Sequence, residues 1–373
     1  MRLTVLNVSY PLAPVTPGTA GGAEQILAML DNALVSAGHR SLVIAPAGSQ
    51  CHGLLLPVPL PRCVLDKNAK DAATQHHLKA IHFTLRHFAV DVIHFHGLDF
   101  PVYFPECSVP SVVTLHLPLH WYAKEVFQRR WSNIDFVCVS ESQALTCPDG
   151  AHISAVISNG IPLGPFVPGS KKGKYALCLG RVCPEKGFHL ALQACDTCGL
   201  PLFIAGKVFP YPEHISYFEN EIEPRLYAPH RFLGSVGGAH KQQLLVGAAC
   251  VIIPSLVDET SSLVAMEALA SGTPVVAFRR GALPEIIQDG RTGILVDRPG
   301  DLPSAITAAC ALDRAVCRRE AELRFSAEQM TQQYLALYQR ITQRSGDFRT
   351  TSRRPISNVV SFASLPAEAT HCA

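Results

Sequence analysis

Short β-like runs alternate with helical patterns along this chain, and that rhythm restricts it to parallel sheets covered by helices on both faces. The first half offers the runs Leu3 to Ser9, Ser41 to Ala45, Val90 to Phe95, Val112 to His116, Phe136 to Val139 and Ala155 to Ser158. The second half offers Tyr175 to Leu179, Leu202 to Ala205, Phe232 to Gly234, Cys250 to Pro254 and Val275 to Phe278. At 373 residues the chain exceeds one ordinary core, so two domains are expected. The Pro- and Gly-rich stretch that follows Asn159-Gly160 reads as the joint between them. The expected division is a first domain over 1–161, a linker over 162–174 and a second domain over 175–320. A C-terminal helix over 321–342 carries Leu323, Met330, Tyr334, Leu337 and Tyr338 on its apolar side. Residues 345–373, rich in Ser, Thr, Arg and Pro, read as a disordered tail.

Composition narrows the function classes. A net charge of +2, with 17% charged residues and no basic stripe interleaved with aromatics, argues against a nucleic-acid partner. The chain enters a strand directly after Met1, which predicts no signal peptide. Its longest apolar run, Leu244 to Val257, is too short to span a bilayer and contains Pro254. The 13 cysteines are odd in number and scattered, as buried free thiols would be, and Cys195-x-x-Cys198 lacks a second pair at zinc-finger distance. A reducing, cytoplasmic setting follows as the expectation.

Chemistry concentrates near Glu259 and Glu267. Val251 to Pro254 ends an apolar strand, Ser261 or Ser262 suits a helix N-cap, and Gly272 fits just past the helix end. The two carboxylates then flank a helix start whose free N–H groups, those of Ser262, Leu263 and Val264, suit a phosphate. Such a site accommodates a diphosphate with hydroxyl-rich groups on either side, which describes a nucleotide sugar.

Three further elements accompany that pair. Gly180-Arg181-x4-Lys186-Gly187 follows the strand ending at Leu179 and supplies two cations. Arg offers a planar fork and Lys a mobile point charge, a pair suited to two adjacent phosphates. The turn Gly18 to Glu24, with Gly21 and Gly22, falls at a strand-to-helix junction where backbone approaches a phosphate closely. His116 ends the strand Val112 to His116, and strand C-termini in open α/β sheets are where ligands bind. His94 and His96 share one face of the preceding strand, but no nearby ligand completes a metal set and the chain has no Asp-x-Asp, so no metal is expected.

With Glu259-x7-Glu267, Gly180-Arg181-x4-Lys186-Gly187, Gly21-Gly22-Ala-Glu24 and His116 together, the chain resembles the retaining glycosyltransferases of family 4 over about residues 1–342. That resemblance implies the GT-B fold, two Rossmann-like α/β domains facing each other across a cleft, with the acceptor on the first domain and the donor on the second. It implies hexosyl transfer from a nucleoside-diphosphate sugar to an acceptor hydroxyl, with no metal and no other cofactor. Arg181 and Lys186 would neutralise the leaving diphosphate, and Gly21, Gly22, Gly180, Ser261, Ser262, Leu263 and Val264 would line the donor. Glu267 would bind ribose hydroxyls, Glu259 the transferred sugar, and His116 would line the sugar site. No covalent nucleophile is implied: the acceptor hydroxyl attacks from the front face and the departing phosphate oxygen takes its proton. The rival readings are a GT-B nucleotide-sugar epimerase and a non-catalytic nucleotide-sugar binding protein.

The pattern departs from the family after Glu259, where Thr260-Ser261-Ser262 stands in place of an aromatic and a glycine. On the acceptor side, Trp121 to Trp131 reads as a helix with aromatics on one side and Lys124, Arg129 and Arg130 on another. It packs as core, or it docks an anionic membrane and presents a lipid-linked acceptor. A sugar or small-molecule acceptor is the alternative.

Overall fold

The computed structural model describes residues 2–16, 19, 21–60, 66–129, 131, 133–169 and 173–346. Gly18 and Ala20 of the glycine-rich turn, Arg130, part of the linker and the tail beyond 346 lie outside them.

Among the described residues the strands form two sheets in which every pairing is parallel. The first contains β1 (Thr4–Val8), β2 (Arg40–Pro46), β3 (Leu54–Val58), β4 (Val92–Phe95), β5 (Ser111–Leu115), β6 (Ile134–Cys138) and β7 (Ile153–Val156) in the order β3-β2-β1-β4-β5-β6-β7. The second contains β8 (Ala176–Leu179), β9 (Leu202–Ala205), β10 (Arg231–Phe232), β11 (Cys250–Ile253), β12 (Val275–Phe278) and β13 (Gly293–Val296) in the order β10-β9-β8-β11-β12-β13. Both are doubly wound, and strand order reverses between β1 and β4 and between β8 and β11. Those reversals open crevices at the carboxyl ends of β1, β4, β8 and β11.

Central strands such as β4, β5, β11 and β12 are buried along their whole length, because helices cover both faces of each sheet. One face of the first sheet packs Leu3, Val5, Val92, Val112 and Val137 against Ile26, Leu30 and Leu34 of the helix Gly22–Ser36. Met330, Tyr334, Leu337, Tyr338 and Ile341 complete that cluster from the far end of the chain.

Three elements differ from the sequence reading. Strand β3 escaped it because Pro57 sits inside the run, and the strand lies at the sheet edge, where a missing N–H donor is tolerated. Strand β13 follows a turn, Asp289 to Thr292, and is only four residues long. The expected single C-terminal helix is two, Arg314–Arg324 and Ala327–Gly346. Phe325 turns inward to burial, and Ser326 starts the second helix by accepting the Gln329 N–H at 3.1 Å. Leu323, placed on the apolar side, is 70% exposed. At the break the two chain crossings between the sheets bond to each other: Ile161 N–H donates to Phe325 O at 2.8 Å, and Ala327 N–H donates to Ile161 O at 2.9 Å.

Candidate active site

The loop after β8 carries Gly180, Arg181 and Lys186, and its shape follows from its last glycine. Gly187 has φ +62°, and a Cβ there would stand 2.2 Å from Pro254 O, so only glycine lets this loop lie against the end of β11. The approach is fixed by Leu256 N–H, which donates to Glu185 O at 2.8 Å. Gly180 closes β8, its N–H donating to Ala205 O at 3.0 Å. Arg181 is exposed and forms no salt bridge among the described residues.

Lys186 Nζ meets Glu259 Oε1 at 2.5 Å. Ser255, buried at the end of β11, donates its hydroxyl to the same oxygen. Both donors act on Oε1, which leaves Oε2 with lone pairs for another donor. Glu259 is itself held by its backbone: Ala282 N–H donates to Glu259 O at 2.8 Å, and a Cβ at Gly281 would stand 2.3 Å from that carbonyl. The Gly281-to-Glu285 stretch therefore fixes the loop bearing Glu259.

The helix Leu263–Ala270 begins beside this loop. Ser262 is its N-cap, accepting the Ala265 N–H at 3.3 Å, and the first intrahelical bond is Met266 N–H to Ser262 O. The N–H groups of Leu263 and Val264 precede that bond and face outward from the helix start. Ser261 Oγ is buried with no hydrogen-bond partner among the described residues. Glu267, in the second turn, is buried and pairs with Lys241 Nζ at 2.6 Å. Burial pushes its carboxyl above the ordinary range while Lys241 pulls it down.

The first domain meets this surface at several points, one of them the Glu285 carboxylate, which accepts the Glu141 N–H at 3.0 Å and the Ser142 N–H at 2.5 Å. Thr260 Oγ1 donates to His116 O at 2.9 Å, which sets the end of β5 against the Glu259 loop. A Cβ on Gly22 would stand 3.9 Å from Leu263 Cδ1, so the starts of the two helices face each other. Gly21 is the N-cap of its helix, and Glu24 folds its carboxylate back over that glycine; a Cβ on Gly21 would clash with it. Burial raises the Glu24 pKa.

His116 Nε2 lies 3.0 Å from His96 Nδ1, with the rings stacked 17° from parallel. Burial drives His116 down to about 3 and His96 well below its usual value, so both are neutral and one ring nitrogen of the pair donates to the other. His94 belongs to a separate network, with Nδ1 2.7 Å from Tyr338 Oη and Nε2 2.7 Å from Thr114 Oγ1, which in turn contacts Tyr334 Oη at 2.9 Å. The shared strand face of His94 and His96 thus serves two networks.

The structure brings Lys186 to Glu259, and the Glu259 loop, next to the Ser262 helix start, to the His116 carbonyl, whereas Arg181 is exposed on the loop after β8. Sequence reasoning missed Ser255 and Lys241, the partners of the two glutamates. Neither stands in a motif: Ser255 follows a strand as any loop serine does, and Lys241 lies in a weakly amphipathic helix, Gly238–Gly247.

The expected helix Trp121 to Trp131 shortens to Lys124–Gln128, after a turn at Leu119–Trp121. Tyr122, Val126 and Phe127 are core, and Trp131 packs against Phe100 and Phe104 and donates its indole N–H to Val126 O. Trp121 is 53% exposed, and Lys124 and Arg129 are exposed as well.

Two family models match. One described as "Glycosyltransferase Family 4" covers residues 20–164, and one described as "Glycosyl transferases group 1" covers residues 173–312. The sulfoquinovosyl transferase SQD2 of Arabidopsis thaliana is 33% identical over 40% of this chain, which spans 27% of that protein's length. A phosphatidyl-myo-inositol mannosyltransferase of Mycobacterium leprae is 27% identical over 85% of this chain and 90% of its own. Among solved structures, AviGT4, a glycosyltransferase involved in avilamycin A biosynthesis, superimposes with a TM-score of 0.68 at 25% identity, covering 91% of this chain and 98% of its own.

Proposed function

This chain belongs to the family-4 glycosyltransferases of the GT-B fold and is a transferase, and we propose that it moves a hexosyl unit from a nucleoside-diphosphate sugar to an acceptor hydroxyl, with retention and without a metal. The observation that carries this reading is the meeting of the two sheets through Thr260 and His116. It sets the Lys186–Glu259 pair, at the switch point of one sheet, against a strand end of the other.

Charge develops on the diphosphate as the glycosidic bond breaks, and fixed cations there lower the barrier. Arg181, exposed at the loop, and Lys186 supply them. The outward N–H groups of Leu263 and Val264 and the Ser261 hydroxyl take phosphate oxygens, with Gly22 opposite. Glu267 accepts ribose hydroxyls from its buried place beside Lys241. Glu259 Oε2 accepts a hydroxyl of the transferred sugar, while Ser255 and Lys186 hold Oε1. His116, neutral throughout the physiological range, lines the sugar without adding charge. The acceptor hydroxyl attacks from the face the diphosphate leaves, and a departing phosphate oxygen takes the proton.

The acceptor is proposed to be lipid-linked. The M. leprae relative is named for transfer to phosphatidyl-myo-inositol, and here Trp121 and Lys124 are exposed in one short segment, followed by an exposed Arg129 whose guanidinium lies over the Trp131 ring.

The test is a thermal-shift screen with UDP-, GDP- and ADP-sugars, in which a true donor at a hundredfold excess over its Kd stabilises the fold by about 2.7 kcal/mol. The selected donor is then incubated with and without acceptors. Release of nucleoside diphosphate with an α-linked product from an α-donor supports the reading. A new nucleotide sugar formed without acceptor makes the protein an epimerase instead.

A further inference from the structure

We infer that Cys183, Glu185 and His214 form a binding site for a thiophilic divalent cation of the Zn²⁺ class, which fastens the Gly180-to-Gly187 loop to the helix Pro212–Tyr217. The Cys183 Sγ, a Glu185 carboxylate oxygen and a His214 ring nitrogen all lie within 4.8 Å of one another. In a closed tetrahedral zinc site with Zn–S of about 2.3 Å and Zn–N of about 2.0 Å, neighbouring ligand atoms stand about 3.5 Å apart. On binding, the three ligand atoms draw in to that spacing. Thiolate, imidazole and carboxylate are also the ligand types that zinc takes, with water in the fourth position.

A second observation points to the same place. His214 Nδ1 is buried and has no hydrogen-bond partner among the described residues, although its ring is fixed edge-on to Tyr211 at 5.1 Å. A buried ring nitrogen without a partner is costly, and a cation supplies one. Cys183 is 1% exposed, and Glu185 lies at the surface, so the site has a closed floor and an open mouth. The Cys183 thiol donates to Arg181 O at 3.8 Å.

Binding is a proton-for-metal exchange. The Cys183 S–H bond breaks, its electron pair goes to the cation as a thiolate–metal bond, and the proton leaves to solvent. The thiol leaves the Arg181 carbonyl, the Glu185 carboxylate turns to the cation, and His214 gives its lone pair. Arg181 and Lys186 flank Cys183 and Glu185, so a bound cation stiffens the loop bearing both proposed phosphate-binding cations. It takes no part in the transfer step, and Cys195-x-x-Cys198 lies outside the set.

Cobalt titration of the reduced full-length chain tests this. The expected result is one equivalent of Co²⁺ with a thiolate-to-cobalt charge-transfer band, displaced by Zn²⁺, with one proton released. Cys183→Ser should abolish the band, His214→Gln should weaken binding at least tenfold, and Cys198→Ser should change neither. Circular dichroism verifies that each variant is folded. Zn²⁺ alone should raise the Tm of the parent and of Cys198→Ser and not of Cys183→Ser. A parent chain that gives no charge-transfer band overturns the inference whatever the variants do, and so does a Cys183→Ser chain that keeps the band.

Discussion

Lys186 and Glu259 stand 73 residues apart in the chain and 2.5 Å apart in the fold, joined across the switch point of the second sheet. Each comes from the loop after a strand that borders the reversal, β8 or β11. The pair is partly screened from solvent, at 24% and 13% exposure, and Ser255 shares the same carboxylate oxygen.

Lys186→Ala should reduce turnover by about 2.7–4 kcal/mol of barrier, the scale of losing one preorganised charge-stabilising donor. Steady-state kinetics with the selected donor measures it, alongside a Tm to separate folding from catalysis. Activity within threefold of the parent would place Lys186 outside the leaving-group site.

The two glutamates should part in calorimetry. Glu267→Ala should weaken binding of the free nucleoside diphosphate, and it also leaves Lys241 without its carboxylate. Glu259→Ala should keep diphosphate affinity near that of the parent and impair transfer. Equal loss of affinity in both variants would overturn the division of roles.

Acid should destabilise the protein through His116 and His96, whose folded pKa values lie below the unfolded value of 6.5. Above pH 6.5 both states are neutral and the full stability is present. As pH falls, the unfolded chain takes up protons that the buried rings refuse, and each ring removes up to about 1.4 kcal/mol per pH unit until its folded pKa, about 3 for His116, is reached. Urea titrations at pH 7 and pH 5 measure the loss, and His116→Asn should flatten the dependence. An unchanged slope in that variant would assign the effect to other groups.

Tyr338→Phe should cost about 1–3 kcal/mol, because it strands His94 Nδ1 at a site with no access to water. Chemical denaturation gives the value. A loss below about 0.5 kcal/mol would mean that the hydroxyl network relaxes around the gap.

Liposome co-sedimentation at low and high salt tests the acceptor surface. Anionic vesicles should retain the protein at low salt, with each basic residue near the surface contributing about 1 kcal/mol, and Trp121→Ala with Lys124→Ala should release it. Failure to bind even at low salt would favour a soluble acceptor.

Much of this architecture was legible because buried parallel strands leave unbroken apolar runs such as Val275 to Phe278, and because Gly187 marks a place where only glycine fits. Ser262 was readable as a cap from its place before an apolar helix. Lys241 and Ser255 were not, since nothing in their neighbours distinguishes a lysine that reaches a buried glutamate from one that reaches water. Glu24 stands in the Gly21-Gly22-Ala-Glu24 motif, yet its carboxylate folding over Gly21 depends on a side-chain rotation that spacing does not encode. The helix break at Phe325 and Ser326 was hidden for a similar reason: it is set by Ile161, which bonds on either side of it.

The covering of Val5, Val92 and Val112 by Tyr334, Leu337 and Tyr338 also dictates an order of events during synthesis. The first strands leave the ribosome long before the segment that shields one of their faces, and until then that face stays wet. A nascent chain stopped before Met330 therefore lacks part of the cover of that sheet and exposes an apolar face to chaperones and to its neighbours.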